Sequence, residues 1–358
     1  MPKENIESRE VLLKLDLISI MLYIIAALLV IVVALMIYQS FFKPSYAYQP
    51  GANSITKGAT PPTNSSLLNT SAKNTSKYNF GHRLANIDNP LNSSSLAVFN
   101  SAQNAYFETA GEMLLNGSIN NIVADQPLSN SSIFKPIIIN GKPTVIYIGA
   151  ISCIFCGENR WAMALALGRF GTFNSLYTGY SSFGDHDVPT IYWNIDNYTT
   201  SSNIGFGNKY SSNYINFISA DYESPIVQGF EIQPLSYFVS KASSVNQTYL
   251  EAMKFMNGTG QFQGTPFTFW GKYLEGGADA VDFSNSSSSS NVTLEYMTHA
   301  QMYNELVRPN DQMGWTEYAG ADVYIAFLCN TLNSTGSAEP SVCSLPAIHG
   351  IENAMQLK

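Results

Sequence analysis

Apolar positions fall into blocks along this chain, and the spacing within each block differs from one segment to the next. The first block, Leu17 to Tyr38, runs 22 residues without a charge and is rich in Leu, Ile and Val. At about 1.5 Å per residue, a helix of that length crosses the roughly 30 Å hydrocarbon layer of a bilayer, so the pattern predicts one membrane helix. A cleaved signal peptide is the rival reading, because Ser45-Tyr46-Ala47 loosely resembles a cleavage site. The apolar core of such a peptide is about 7–15 residues, shorter than this run. Lys3, Arg9 and Lys14 precede the block, against Lys43 and Lys57 after it, which puts the N-terminus on the cytoplasmic side.

Residues 39–79 lose the periodicity. They are rich in Ser, Asn, Thr and Pro with little to bury, the composition of a solvated tether. Patterning returns beyond residue 80. Leu96, Phe99, Tyr106, Ala110 and Met113 follow the serines at 93–95 and precede Asn116-Gly117, which predicts one helix with a stop. Ile137 to Ile139 and Thr144 to Ile148 flank Asn140-Gly141, the pair best suited to a tight hairpin. The β-branched run of that second strand leads to Cys153 and Cys156, after which Trp161, Leu165, Leu167 and Phe170 recur at helical spacing before Gly171.

Thr190 to Ile195 and Tyr214 to Ser219 read as further strands, and 234–260 as a less regular section with one helical stretch at Tyr249 to Met256. Next comes Gly264-Thr265-Pro266, then Pro266–Trp270 and Tyr273–Gly276 joined by Gly271-Lys272 as a hairpin, and a helix around Ala300 to Val307. The expected organisation is a short cytoplasmic tail (1–16), a transmembrane helix (17–38), a flexible tether (39–79) and an extracytoplasmic α/β domain (80–358).

Composition narrows the class. Hydrophobic residues make up 45% of the chain, enough for a core, but only 12% are charged, against about 25% in ordinary soluble domains. Ser, Asn, Thr and Tyr must therefore supply the polar surface. A net charge of −8 without any Lys/Arg cluster argues against nucleic acid as a partner. Twelve Asn-x-Ser/Thr sequons occur, at Asn64, Asn69, Asn74, Asn92, Asn116, Asn130, Asn197, Asn246, Asn257, Asn285, Asn291 and Asn333. They mark either glycosylation or the chance product of Asn- and Ser-rich loops, and both suit an exterior location. His82, His186, His299 and His349 are scattered without metal-ligand spacing, and no phosphate loop or nucleophile elbow occurs, so neither metal nor cofactor is expected.

The candidate chemistry lies in Cys153-Ile154-Phe155-Cys156. A cysteine at a helix N-terminus meets unpaired backbone N–H groups and the positive end of the helix dipole, which favour its thiolate. A second cysteine three residues on lies within the first turn, where it can attack a mixed disulfide. The same spacing is also half of a zinc site, or an inert disulfide. Cys329 and Cys343 are too far apart in sequence and too far downstream to form the second close pair of a four-cysteine zinc site. Thr265-Pro266 alone is equally compatible with an ordinary edge strand, since proline cannot donate to the ladder and X-Pro tolerates a cis bond.

The order of strand, Cys-x-x-Cys helix, strand, helical insert, Gly-Thr-Pro and hairpin resembles thioredoxin-fold proteins, and Gly264 to Gly277 resembles the cis-proline loop and hairpin of DsbA-like members. More closely, Tyr147 to Phe173, with Arg160-Trp161 and Arg169-Phe170-Gly171, and the tail with Cys329 and Pro340-Ser341-Val342-Cys343, resemble an archaeal membrane-anchored family of unassigned function with a thioredoxin-like core. The resemblance covers about Phe134 to Cys343. It implies a thioredoxin-like fold with a helical insertion and a helical C-terminal extension, Cys153 as nucleophile, Cys156 as resolving thiol, and Pro266 after Thr265 as the cis-proline beside them. The implied activity is thiol–disulfide exchange by a single-pass, membrane-tethered extracytoplasmic domain. Its partners would be exported proteins carrying thiols or disulfides, and a redox partner in or outside the membrane. Once Cys153 and Cys156 are matched to the site, Cys329 and Cys343 remain for a structural disulfide, as an oxidising exterior allows. Ile154-Phe155 departs from the Gly-Pro or Pro-His dipeptide of thioredoxin and DsbA, and no counterpart of thioredoxin's buried acid and lysine is visible. The direction of electron flow therefore stays open. The alternative is a non-catalytic cell-surface binding module stapled by Cys153–Cys156; an exposed Ile154-Phe155 would favour reactivity.

Overall fold

The computed structural model describes residues 86–119, 134–151, 153–181, 188–193, 204–222, 234–262, 264–276, 297–310 and 312–357. The membrane helix and tether expected over 17–79 lie outside these residues. Among the described residues no helix is long and apolar enough to cross a membrane.

The elements, in chain order, are β1 (Asn86–Pro90), α1 (Ser93–Asn100), α2 (Asn104–Leu115), β2 (Ile138–Ile139), β3 (Lys142–Ala150), α3 (Ile154–Phe170), β4 (Gly171–Ser175), β5 (Tyr177–Tyr180), β6 (Pro189–Tyr192), β7 (Ile204–Phe206), β8 (Lys209–Ser212), β9 (Asn216–Tyr222), α4 (Leu235–Ala242), α5 (Gln247–Gly258), β10 (Phe267–Trp270), β11 (Tyr273–Gly276), α6 (His299–Val307), α7 (Gln312–Thr335) and α8 (Pro346–Ala354). The class is mixed α/β.

The principal sheet runs in the order β11-β10-β3-β9-β7, with β2 turned back on β3. Among the described residues only β3 and β9 pair in parallel, from Thr144↔Asn216 to Ala150↔Tyr222. Both faces of this sheet are covered, and side chains alternate between two cores as a period of two requires. Val145, Tyr147, Phe217 and Trp270 join the core built with α3 and α7. Ile146, Ile148, Ile218, Phe267 and Phe269 join the opposite core with Phe238 of α4 and Met253 of α5. Two smaller sheets, β1-β5-β6 and β4-β8, complete the architecture.

Local chemistry accounts for several of these elements. Asn140 and Gly141 take positive φ, 50° and 77°, as a two-residue hairpin loop demands, and β2 pairs with β3 across them. The Asn246 side chain accepts from the Tyr249 N–H to cap α5. Strand β9 begins at Asn216 rather than at Tyr214, because the Tyr214 and Ile215 N–H groups turn to the Ser212 hydroxyl.

The single helix expected after the serines at 93–95 is two, α1 and α2, broken at residues 101–103. Tertiary partners satisfy the break. Arg169 donates to the carbonyls of Phe99 and Ala102, and the Asn100 amide exchanges two bonds with the Phe173 backbone, at 2.9 and 2.8 Å. Helix α3 lies so close beneath that a Cβ on Gly168 would meet the Phe99 carbonyl oxygen at 2.1 Å. The section expected to be irregular likewise holds two helices, α4 and α5.

Helix α3 is the central element. All its residues except Ile154, Phe155 and Arg169 are buried. It packs against β6 and α7. Helix α7 is also buried along most of its length, with Tyr324 stacked on Trp270 at 4.2 Å between ring centroids. Its Cys329 is bonded to Cys343 in the 3-10 turn Ser341–Ser344, with Cα atoms 5.4 Å apart.

Candidate thiol site

Strand β3 ends at Ala150, the Ile151 N–H crosses to the Tyr222 carbonyl at 2.9 Å, and two residues later the chain enters α3. Cys153 is the N-cap of that helix, with φ −76° and ψ 125°, and its Sγ accepts the Cys156 N–H at 3.4 Å. The sulfur thus takes the part that a serine or aspartate oxygen plays at other helix starts. The Cys156 Sγ accepts the Ala150 N–H, also at 3.4 Å. Neither cysteine is in a disulfide.

Antiparallel pairing of β10 with β3, from Trp270↔Val145 to Phe267↔Ile148, carries the start of β10 to the end of β3. Thr265 and Pro266 therefore arrive beside the cysteines. The Cys153 Sγ lies 3.5 Å from the Thr265 carbonyl oxygen, the Thr265–Pro266 bond is cis, and Pro266 is buried. Four of the six residues singled out in the sequence are thus brought together. The other two, Cys329 and Cys343, sit on α7 and the turn before α8.

The two sulfurs differ in access. Cys153 keeps 6% of its surface and Cys156 none, whereas Phe155 between them is 49% exposed. An outer thiol at a helix start, an inner thiol one turn below and an apolar ring presented to solvent make up the site's outer face.

Beneath it lies a charged pair that the sequence reading did not find. Arg160, one turn after Cys156 on α3, is fully buried; its Nη2 donates to Asp221 Oδ1 at 2.6 Å and to the Ala150 carbonyl at 3.1 Å. Asp221 reaches it from β9, where it pairs with Gly149. The rings of Tyr147 and Tyr192 flank the guanidinium, their centroids 5.7 and 4.6 Å from it. The sequence shows no counterpart of thioredoxin's buried acid and lysine; here a buried arginine from α3 and an aspartate from β9 stand beneath the cysteines. The local sequence carries little signal for it, since Arg160 follows Glu158 and Asn159 in the same helix and its partner lies 61 residues downstream.

This environment acts on the acidities. Burial opposes ionisation of Cys156, but the bond with Cys153, the Arg160 charge and the Ala150 N–H outweigh it and hold the thiol below its ordinary value. Burial pushes Asp221 above the usual carboxylate range, against the pull of Arg160.

Other polar groups behave as structure. His299 places Nε2 2.7 Å from the Gly179 carbonyl and 3.0 Å from that of Thr190, and His349 contacts Glu352 at 3.1 Å on the surface. Among the described residues no group of three or more His, Cys, Asp or Glu side chains is arranged to hold a metal ion.

A family model described as a domain of unknown function, DUF929, matches residues 134–258. That span contains β3, both thiols and the Arg160–Asp221 pair, and stops short of Pro266 and the disulfide. No curated protein and no solved structure matches the chain.

Proposed function

We propose that the domain is a membrane-tethered, extracytoplasmic thiol–disulfide oxidoreductase with a thioredoxin-like core, exchanging disulfides with exported proteins at Cys153 and Cys156. The observation that carries the reading is the position of the Cys153 sulfur: at the N-cap of α3, accepting the Cys156 N–H and 3.5 Å from Thr265 in front of a cis-proline. Strand order supports the core, because β3, α3 and the parallel β9 precede an antiparallel β10–β11 hairpin that lies on the far side of β3. Of the Ile154-Phe155 pair, Phe155 is exposed and Ile154 half-buried against the core; the exposed ring supports a reactive pair over a permanent staple.

In one half-reaction a substrate thiolate attacks the Cys153 sulfur of the oxidised pair. A mixed disulfide forms, the Cys153–Cys156 bond breaks, and its electron pair leaves on Cys156. In the reverse sense the Cys153 thiolate attacks a substrate disulfide and Cys156 resolves the adduct. Location outside the cytoplasm is supported by the Cys329–Cys343 disulfide and by the five sequon asparagines among the described residues, Asn92, Asn116, Asn246, Asn257 and Asn333, all of which are exposed.

The test is a redox titration of the purified full-length chain against glutathione buffers, read by alkylation and peptide mapping of Cys153 and Cys156. A reversible two-electron transition confined to that pair is expected. Thiols that never equilibrate with glutathione would leave the non-catalytic module, which the near-complete burial of both sulfurs favours.

A further inference from the structure

Arg160 is fully buried, yet it spends only one of its three nitrogens. Its Nη2 serves both Asp221 and Ala150, while Nε and Nη1 have no hydrogen-bond partner among the described residues. An ion pair built only to hold α3 against β9 would use the guanidinium fork in two parallel bonds, and buried donors left unmade are costly. The unspent donors point to a partner present in only one state of the protein.

Cys156 is the group placed to be that partner. It lies one turn before Arg160, on the same face of α3, and the two share Ala150, whose N–H binds the sulfur while its carbonyl binds the guanidinium. In the disulfide Cys156 is neutral, and Arg160 has only Asp221 to answer. In the dithiol a thiolate at Cys156 adds a second anion. The charged or titratable groups facing it are Arg160 from α3, Cys153 at the N-cap, Asp221 from β9 and Tyr147 from β3, while Tyr192 of β6 faces Arg160. Asp221 opposes the thiolate, and the Arg160 guanidinium stands between the two. The two tyrosine rings keep the cation in a low-dielectric setting, where a charge counts for more than it does in water.

We infer that Arg160 makes the Cys153–Cys156 pair an electron acceptor: it holds a buried cation ready for a thiolate at Cys156, favours the dithiol state, and so suits the site to reduced cysteine pairs, which it converts to disulfides. The inference rests on the exchange reading above and adds its direction. A substrate thiolate attacks the Cys153 sulfur and expels Cys156 as the stabilised thiolate. The second substrate thiol, deprotonated, then attacks the substrate sulfur of the mixed disulfide and expels the Cys153 thiolate, which takes up a proton. The substrate loses two electrons and the pair gains them. A lower-pKa leaving thiol departs faster, and a stabilised reduced form makes the disulfide the stronger oxidant. Arg160 acts through Cys156 and is a positioning residue.

The test measures the dithiol–disulfide equilibrium against glutathione, and the first thiol ionisation by thiolate absorbance, in the full-length protein and in Arg160→Lys, Asp221→Asn and the Arg160→Gln/Asp221→Asn double variant. The double variant should move the equilibrium at least tenfold toward the disulfide, about 30 mV, and raise the first thiol titration. Asp221→Asn alone should move both in the opposite direction, and Arg160→Lys should keep most of the wild-type behaviour. A purely structural ion pair would change stability and leave both readouts in place. A double variant with the wild-type equilibrium overturns the inference. If that variant does not fold, an unmoved equilibrium in Asp221→Asn overturns it instead. A wild-type pair that does not exchange with glutathione removes the exchange reading itself, whereas a reversible couple indifferent to Arg160 removes the inference alone.

Discussion

The Cys153 sulfur and the Thr265 carbonyl oxygen lie 3.5 Å apart although 112 residues separate them in the chain. Strand pairing alone closes that gap, because β10 runs antiparallel beside β3 and starts where β3 ends. The outer thiol is therefore the one that faces the loop in front of Pro266, and the inner thiol is the one that faces the buried charges.

That division predicts unequal roles. Cys156→Ala should accumulate mixed disulfides with exported proteins, visible as reductant-sensitive adducts on non-reducing gels, while Cys153→Ala should form none. In the reduced wild-type chain, alkylation should mark Cys153 well before Cys156. Equal labelling rates, or adducts on Cys153→Ala, would contradict the assignment.

Gly149 has no room for a side chain, since a Cβ there would come within 2.0 Å of the Tyr147 hydroxyl. Gly149→Ala should cost about 1–3 kcal/mol in denaturant unfolding, the usual range for an overpacked core. Because the Tyr147 ring borders Arg160, the same variant should also alter the thiol titration. A neutral result on both measurements would count against the packing described.

The Cys329–Cys343 bond closes a loop with a sequence separation of 14 and is buried at both ends. In the chain-entropy model a loop of that size contributes about 3 kcal/mol. Replacing both cysteines by alanine should lower the unfolding free energy by about that amount, and mild reductant should leave the native bond intact. Free thiols at both positions in peptide mapping of unreduced protein would remove the claim.

Two buried carboxyls on α7 give stability a dependence on pH. Burial drives both Glu317, which faces Glu158, and Asp322, which faces Glu108, well above the carboxylate range. The folded state therefore keeps protons that the unfolded chain gives up near pH 4. Their contribution is whole below that pH and is lost as pH rises toward the folded-state values, at about 1.4 kcal/mol per unit of difference. Thermal midpoints should fall between pH 4 and neutrality, and Glu317→Gln should flatten the decline. A midpoint that rises over this interval in wild type and variant alike would refute it.

The charge-free run at 17–38 and its flanking basic residues predict a single membrane helix with all later residues outside the cell. Protease added to intact cells should digest the chain beyond Lys77. Resistance that disappears only on lysis would invert the topology.

Local signals were legible where a short stretch decides its own conformation. Asn140-Gly141 and Gly271-Lys272 mark their hairpins because positive φ at Asn140, Gly141 and Gly271 needs residues of that kind. The β-branched run of β3 ending near Cys153 marks where α3 begins. A helical insertion and a helical C-terminal extension followed only from the resemblance; the bounds of α4, α7 and α8 carry no local signal. Helix α7 is buried around most of its circumference, so the apolar stripe that reveals a surface helix is missing. The break between α1 and α2 left no mark either, since the groups that satisfy it, Arg169 and Phe173, come from about seventy residues downstream.

By itself the sequence determined which of the described segments could pair or turn, and that two thiols sit one helical turn apart, because these follow from spacing and backbone preference within a few residues. The tertiary structure decided what surrounds those thiols. Only the approach of α3 to Asp221 of β9 buries Arg160 beneath Cys156, and only the pairing of β10 with β3 delivers Thr265 to Cys153. The acidity of a thiol depends on charges and dielectric within a few ångströms in space, and no local pattern records which distant residues will supply them.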